Sequence, residues 1–217
     1  MLGVNLRPAV ARFWNPVVRG LVRAGVTADA VTLTGTLGAV ASAVFLIGNG
    51  LLFWGALAVT LFVLLDMLDG ALARARGGGS LYGAVLDSTG DRAADAAIFG
   101  ALAWWYSGEG DNRLLVLLAL LCLVLGILTS YVKARAEGVG LTCDVGVVER
   151  TERLILVLVG TGFSGLGVPY AVHVALCVLL AGSAVTVVQR FATVHQQAAG
   201  RPLPPRPADA PSVPPVP

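Results

Sequence analysis

The sequence predicts an all-α integral membrane protein, with six transmembrane helices preceded by an N-terminal amphipathic helix on the membrane surface. Three observations predict it. Of 217 residues, 56% are hydrophobic and 13% charged, with a mean hydropathy of +0.80; soluble domains carry about a quarter charged residues. Six apolar stretches follow one another, at roughly 27–49, 51–73, 84–106, 114–136, 153–171 and 172–189, each near the ~20 residues that span hydrocarbon. If six helices alternate, fourteen of the fifteen Lys and Arg fall on the side of the N-terminus, the 74–83 and 137–152 loops and the C-terminus, Arg113 being the exception. The positive-inside rule makes that side cytoplasmic.

The elements follow in order. LRPAVARFWNPVVRGLVRAG sets Arg7, Arg12, Arg19 and Arg23 among apolar residues, with Phe13 and Trp14 between them. That pattern suits both a helix in the membrane surface and a positive flank of the first span. Ser107–Arg113, SGEGDNR, forms the external loop, with Trp104 and Trp105 at the level of an aromatic belt. Cys122 and Cys177 fall inside spans as small packing residues, and Cys143 falls in a cytoplasmic loop where a disulfide is not expected. His173 and His195 are isolated and carry no assigned chemistry. Residues 1–195 form one membrane-embedded domain. Residues 196–217, QQAAGRPLPPRPADAPSVPPVP, read as a disordered Pro-rich tail. A net charge of +2 gives no footprint for nucleic acid.

Four acids stand out. Asp66 and Asp69 are three apart and Asp87 and Asp91 four apart, so on helices each pair shares a face. Both pairs lie at the cytoplasmic ends of adjacent spans, around the glycine-rich ARGGGSLYG. Four carboxylates aimed at one point repel strongly in a low dielectric, and one or two divalent cations remove the conflict. All-oxygen ligation favours Mg²⁺, with Mn²⁺ as the alternative, and Mg²⁺ sites commonly include substrate phosphates. Gly70, Ala73 and Gly83 leave room for a phosphorylated group beside the backbone. Arg74 can pair with a phosphate, and Ser80 can donate a hydrogen bond to it. Acids in membrane helices are functional by default. Asp95 lies one turn beyond Asp91 on the same side and can support it.

DMLDGALARARGGGSLYGAVLDSTGD reads as D-x2-D-G-x2-A-R-x8-G-x3-D-x3-D. It resembles the signature of the CDP-alcohol phosphotransferase family at every fixed position, and the resemblance extends over roughly residues 1–195. Family members transfer a phosphatidyl or similar group from a CDP-linked donor to an alcohol and release CMP. The resemblance implies that Asp66, Asp69, Asp87 and Asp91 hold two metal ions and that Asp91 is the general base. It places Gly70, Ala73, Arg74, Ser80 and Gly83 in the nucleotide site with Asp66, Asp69 and Asp87. It adds Asp29, Ala30, Val31 and Thr32 of TADAVT at the cytidine end, although the family more often carries Asn where this chain has Asp29. It also implies a homodimer. A donor of CDP-diacylglycerol fits an active site at a membrane surface.

The acceptor is read from cations. Lys133 and Arg135 end the fourth span, Arg150 and Arg153 begin the fifth, and Arg190 ends the sixth. Such a cluster suits an acceptor bearing a phosphate and repels choline or ethanolamine. SYVKARAE followed by ERTER looks like the pattern of the actinobacterial phosphatidylinositol phosphate synthases. By that resemblance Lys133, Arg153 and Arg190, then Arg135 and Arg150, bind 1D-myo-inositol 3-phosphate. The expected enzyme is therefore of the phosphatidylinositol phosphate synthase type, in the cell membrane, with both termini and its active site cytoplasmic. The alternatives are a phosphatidylglycerophosphate synthase using glycerol 3-phosphate, a non-catalytic metal scaffold, and a cation or proton transporter. A transporter would place acids near the midplane of corresponding halves, and no second cluster appears here.

Overall fold

The computed structural model describes residues 17–200, and every regular element among them is helical. Residues 17–23 are helical. The rest of the expected surface helix and the Pro-rich tail after residue 200 lie outside the described residues.

Helix α1 (Ala28–Phe45) starts at Thr27, whose hydroxyl oxygen accepts from the Ala30 N–H at 3.2 Å, with Asp29 in the first turn. A side-chain oxygen and an acid at that end satisfy free N–H groups and the helix dipole. A 3-10 turn (Ile47–Asn49) and Gly50, at φ +77°, reverse the chain. Helices α2 (Leu52–Asp66) and α3 (Leu68–Ala75) meet at Met67, so the expected 51–73 span is broken between its two aspartates. After a turn with Gly77 and Gly78 at positive φ, Ser80 caps α4 (Leu81–Ser107) by accepting from the Gly83 N–H at 2.8 Å. Asn112 caps α5 (Arg113–Glu137). Glu149 and Glu152 form a reciprocal capping box at the start of α6 (Arg150–Gly165). Helix α7 (Ala171–Ala198) runs past residue 195, where the tail was expected to begin. Gln197 in its last turn bonds Thr142, which holds that turn in place.

The long helices close into a ring. α1 packs on α2 and α4, α4 on α5, α5 on α7, α7 on α6, and α6 back on α2. Inside it lie Val59, Ile98, Phe99, Leu102, Val157 and Leu176. The outer wall is apolar too, including Phe45, Trp54, Trp104 and Val188. A protein with grease on both sides of its helices belongs in lipid.

Among the described residues, four helical stretches are long and apolar enough to cross a membrane: Ala28–Asn49, Leu52–Ala75, Arg113–Glu137 and Ala171–Ala198. The third and fifth expected spans are helices, α4 and α6, but fall short of that standard for different reasons. α4 carries Asp87, Asp91, Arg92 and Asp95 within its first fifteen residues. α6 has 16 residues, about 24 Å at ~1.5 Å per residue, against a ~30 Å hydrocarbon core.

α6 fits because it is lined with small residues where it meets its neighbours. A Cβ on Gly165 would stand 2.3 Å from the Phe53 backbone nitrogen of α2, and one on Gly160 would stand 2.4 Å from the Ala175 Cβ of α7. Such residues let membrane helices approach closely. Gly165→Ala therefore pushes backbone against backbone, which no rotamer change relieves. It should cost about 1–3 kcal/mol and lower the thermal unfolding midpoint in detergent by several degrees. An unchanged midpoint would mean that the α2–α6 contact is looser than described.

Candidate active site

The active end of the ring is where α1, α4 and α6 begin and where α3, α5 and α7 finish. Asp66 ends α2, Asp69 lies in the first turn of α3, and Asp87 lies in the second turn of α4. One carboxylate oxygen from each lies within 4.8 Å of the other two. Thr32 of α1 donates to Asp69 Oδ2 at 2.6 Å, and the Gly70 N–H donates to Asp69 Oδ1. Asp66 Oδ1 is buried without a hydrogen-bond partner among the described residues. A buried orphan oxygen beside two further carboxylates is a donor set that a hard divalent cation completes. The residues present fit Mg²⁺ or Mn²⁺.

The fourth aspartate of the motif is differently occupied. Asp91 is ion-paired with Arg150 at 2.7 Å and accepts a long hydrogen bond from Arg92 Nη2 at 3.4 Å. The break at Met67 and the turn between α3 and α4 thus gather three acids, while an α6 cation holds the fourth one turn along α4.

Next to the cluster is a cavity of about 330 Å³. Among the residues expected at the nucleotide, Asp29, Thr32, Asp69, Gly70, Ala73, Ser80, Gly83 and Asp87 line it. Ala30 and Val31 do not: Ala30 is exposed, and Val31 is buried with Val18, Leu68 and Leu72. Arg74 is exposed, with Nη1 3.5 Å from where a Gly70 Cβ would lie. The wall adds Thr27, Arg76, Gly78 and Gly79, which sequence reasoning passed over. The available signal was Arg76, a second cation in the glycine-rich turn. Gly83 makes the mouth narrow, since a Cβ there would stand 2.9 Å from Asp29 Oδ1.

The expected acceptor cations fall into two groups. Arg150 and Arg153 of α6 reach across the ring to α4. Arg153 is 1% exposed and donates from Nη2 to Asp95 Oδ2 at 2.6 Å, and Arg150 Nε lies 3.8 Å from Asp95 Oδ1. Gly126 of α5 makes room for this, because a Cβ there would lie 3.2 Å from the Arg153 guanidinium carbon. The Nε atoms of Arg150 and Arg153 are buried with no hydrogen-bond partner among the described residues. Lys133 and Arg190 form the second group. Lys133 pairs with Asp144 and, at 3.7 Å, with Glu137. Arg190, 5% exposed, donates to the carbonyls of Val145 (2.9 Å) and Thr129, with Nη2 4.0 Å from Glu149. Arg135 is exposed.

A second, apolar groove of about 530 Å³ runs between α2 and α6 and is walled by Phe53, Leu57, Leu64, Leu158 and Phe163, with Met67 and Arg150 also lining it. His173 lies at the opposite end of the ring, where it hydrogen-bonds Asn112 at 3.1 Å.

With this geometry in place, similarity to known proteins is extensive. Residues 25–188 match the family model of the CDP-alcohol phosphatidyltransferases. A phosphatidylinositol phosphate synthase of Mycobacteroides abscessus is 50% identical over 196 residues, which is 90% of this chain and 89% of that protein. One from Streptomyces avermitilis is 45% identical, covering 92% of this chain and 84% of its own. The crystal structure of the Mycobacterium tuberculosis phosphatidylinositol phosphate synthase with CDP-DAG bound superimposes with a TM-score of 0.81 at 49% identity, over 84% of this chain and 94% of that one. The same enzyme in complex with manganese and citrate gives 0.80 at 50% identity, over 83% and 88%. A family model spanning most of the ring, and relatives alike over nearly their whole length, lead to one conclusion: the chain belongs to the CDP-alcohol phosphatidyltransferase family.

Proposed function

We infer that this chain is a phosphatidylinositol phosphate synthase, transferring the phosphatidyl group of CDP-diacylglycerol to 1D-myo-inositol 3-phosphate and releasing CMP. The observation that carries the reading is the juxtaposition of the three-carboxylate cluster and its cavity with a set of cations at the same end of the ring. The names of the nearly half-identical relatives support it.

In this reading Asp29 and Thr32 meet the cytidine end, while Gly70, Ala73, Ser80 and Gly83 border the pyrophosphate, with Arg74 at its exposed edge. The acyl chains follow the α2–α6 groove toward lipid. Asp66, Asp69 and Asp87, with Asp91 where a second ion is bound, hold Mg²⁺ or Mn²⁺. The metal, when bound, stabilises negative charge on the pyrophosphate and the departing CMP. Lys133, Arg153 and Arg190 take the acceptor's phosphate, with Arg150 beside them. Arg135 stands at the margin. Asp91 receives the proton of the attacking hydroxyl. That oxygen bonds to the β-phosphorus, and the bond from phosphorus to the CMP oxygen breaks.

All six ring helices cross the cell membrane in this reading, with termini and active site cytoplasmic and the chain paired as a homodimer. The charged half of α4 is tolerated because Arg92, Arg150 and Arg153 neutralise it inside the ring.

The test is product analysis. Purified protein given CDP-diacylglycerol, Mg²⁺ and inositol phosphate should yield a lipid with the mass of phosphatidylinositol phosphate. Lys133→Ala should raise the acceptor KM about tenfold or more with little change in kcat, because a charge-assisted hydrogen bond is lost from binding. A KM for acceptor that ignores Lys133 would remove the cationic pocket from this account.

A further inference from the structure

Resting on the acceptor reading above, we propose that Asp144 governs acceptor binding as an internal competitor: its carboxylate holds Lys133, and the acceptor's phosphate gains the ammonium only by displacing it.

Lys133 is the only lysine in the chain. Asp144, in the segment joining α5 to α6, pairs with it, and Glu137 joins at 3.7 Å. Lys133 in return holds the Asp144 carboxyl below the usual carboxylate range. The segment around Asp144 is placed rather than loose. Gln197 of α7 accepts from the Thr142 N–H (3.1 Å) and hydroxyl (3.2 Å) and donates to the Thr142 carbonyl at 2.7 Å. Cys143 is buried, Arg190 donates to the Val145 carbonyl, and Thr186 Oγ1 accepts from the Val147 and Val148 N–H groups. Anchors on both sides therefore fix the backbone of Asp144, while its side chain is 71% exposed. Side-chain rotation alone can open the pair, with the backbone held.

An exposed ion pair adds little to the stability of a fold, so stability does not explain why a fixed carboxylate faces the lysine. Charge does. Arg190, whose guanidinium meets Val145 next to Asp144, is near enough for its charge to act on both Lys133 and the Asp144 carboxylate. A carboxylate offers one negative charge to this corner, and a phosphate monoester carries about −1.5 to −2 near neutral pH. The acceptor's phosphate thus outbids the resident group, and a neutral polyol does not.

The experiment compares the full-length wild type, Asp144→Asn, Lys133→Ala and the double variant in detergent micelles, by calorimetric titration with inositol phosphate, inorganic phosphate and free inositol. Asp144→Asn should bind both anions about three- to fivefold more tightly, bind free inositol unchanged, and unfold at the wild-type temperature. In the Lys133→Ala background the same substitution should give no gain. Lys133-dependent binding that Asp144→Asn leaves unchanged or weakens would overturn the competition and leave the acceptor site standing. Anion binding by the wild type that Lys133→Ala does not alter would overturn the acceptor site itself, and this inference with it.

Discussion

Asp91→Asn should lower kcat by about 10²–10⁴-fold, the range that a general base contributes, while CDP-diacylglycerol still binds. The split follows from position. Asp91 does not line the cavity beside the carboxylate cluster, and the cluster of Asp66, Asp69 and Asp87 is complete without it. Asn keeps the shape of the side chain and loses the ability to take a proton. It also loses the charge that holds Arg150 at 2.7 Å, so a modest rise in acceptor KM should accompany the fall in kcat. Steady-state kinetics with a direct measurement of donor binding checks this. Lost donor binding with an unchanged pattern at the acceptor would assign Asp91 to the donor's pyrophosphate instead.

Asp95→Ala should be the most damaging single change to stability. Asp95 and Arg153 have side chains 4% and 2% exposed and meet at 2.6 Å inside the ring. Removing one partner of a buried pair leaves an uncompensated charge and costs about 3–5 kcal/mol, a large share of the ~5–15 kcal/mol that holds a typical domain together. Replacing both by leucine removes the charge and its partner together. Asp95→Leu with Arg153→Leu should therefore recover most of the lost unfolding temperature, and yet bind the acceptor poorly, because Arg153 is gone. A double variant no more stable than Asp95→Ala would mean that the pair's geometry, not its charge balance, holds α4 to α6. The single and double variants can be compared by thermal unfolding in one detergent.

The contrast between these residues shows what a sequence discloses. The aspartate motif was legible because its information is local: spacings of three and four set side chains on one helical face, and glycines between them mark the turn. The cavity next to the cluster accordingly contains most of the residues expected of it. The joint at Met67 was not legible, because an apolar run averages over a break that a short helix, α3, introduces. The brevity of α6 was hidden for a similar reason, since Leu166–Ala171 is apolar but not helical up to its last residue. Arg153 stood out as a cation at the start of an apolar stretch and is buried in α6, and its partner Asp95 was noticed for its position beside Asp91. Their meeting depends on two helices 58 positions apart in the chain, which no local period encodes. Lys133 and Asp144 likewise meet in a segment whose Thr142 is tied to Gln197, 55 positions away. Gln197 is a similar case: it looked like the second residue of a featureless segment, and it lies in the last turn of α7, bonded to Thr142.

The most direct measurement is CMP release by the purified protein with CDP-diacylglycerol and Mg²⁺, with inositol phosphate, free inositol and glycerol 3-phosphate offered separately. The account predicts rapid release with inositol phosphate, and little with free inositol or glycerol 3-phosphate. Release with glycerol 3-phosphate alone would keep the carboxylate chemistry and contradict the acceptor. No release with any of the three would contradict the reaction itself.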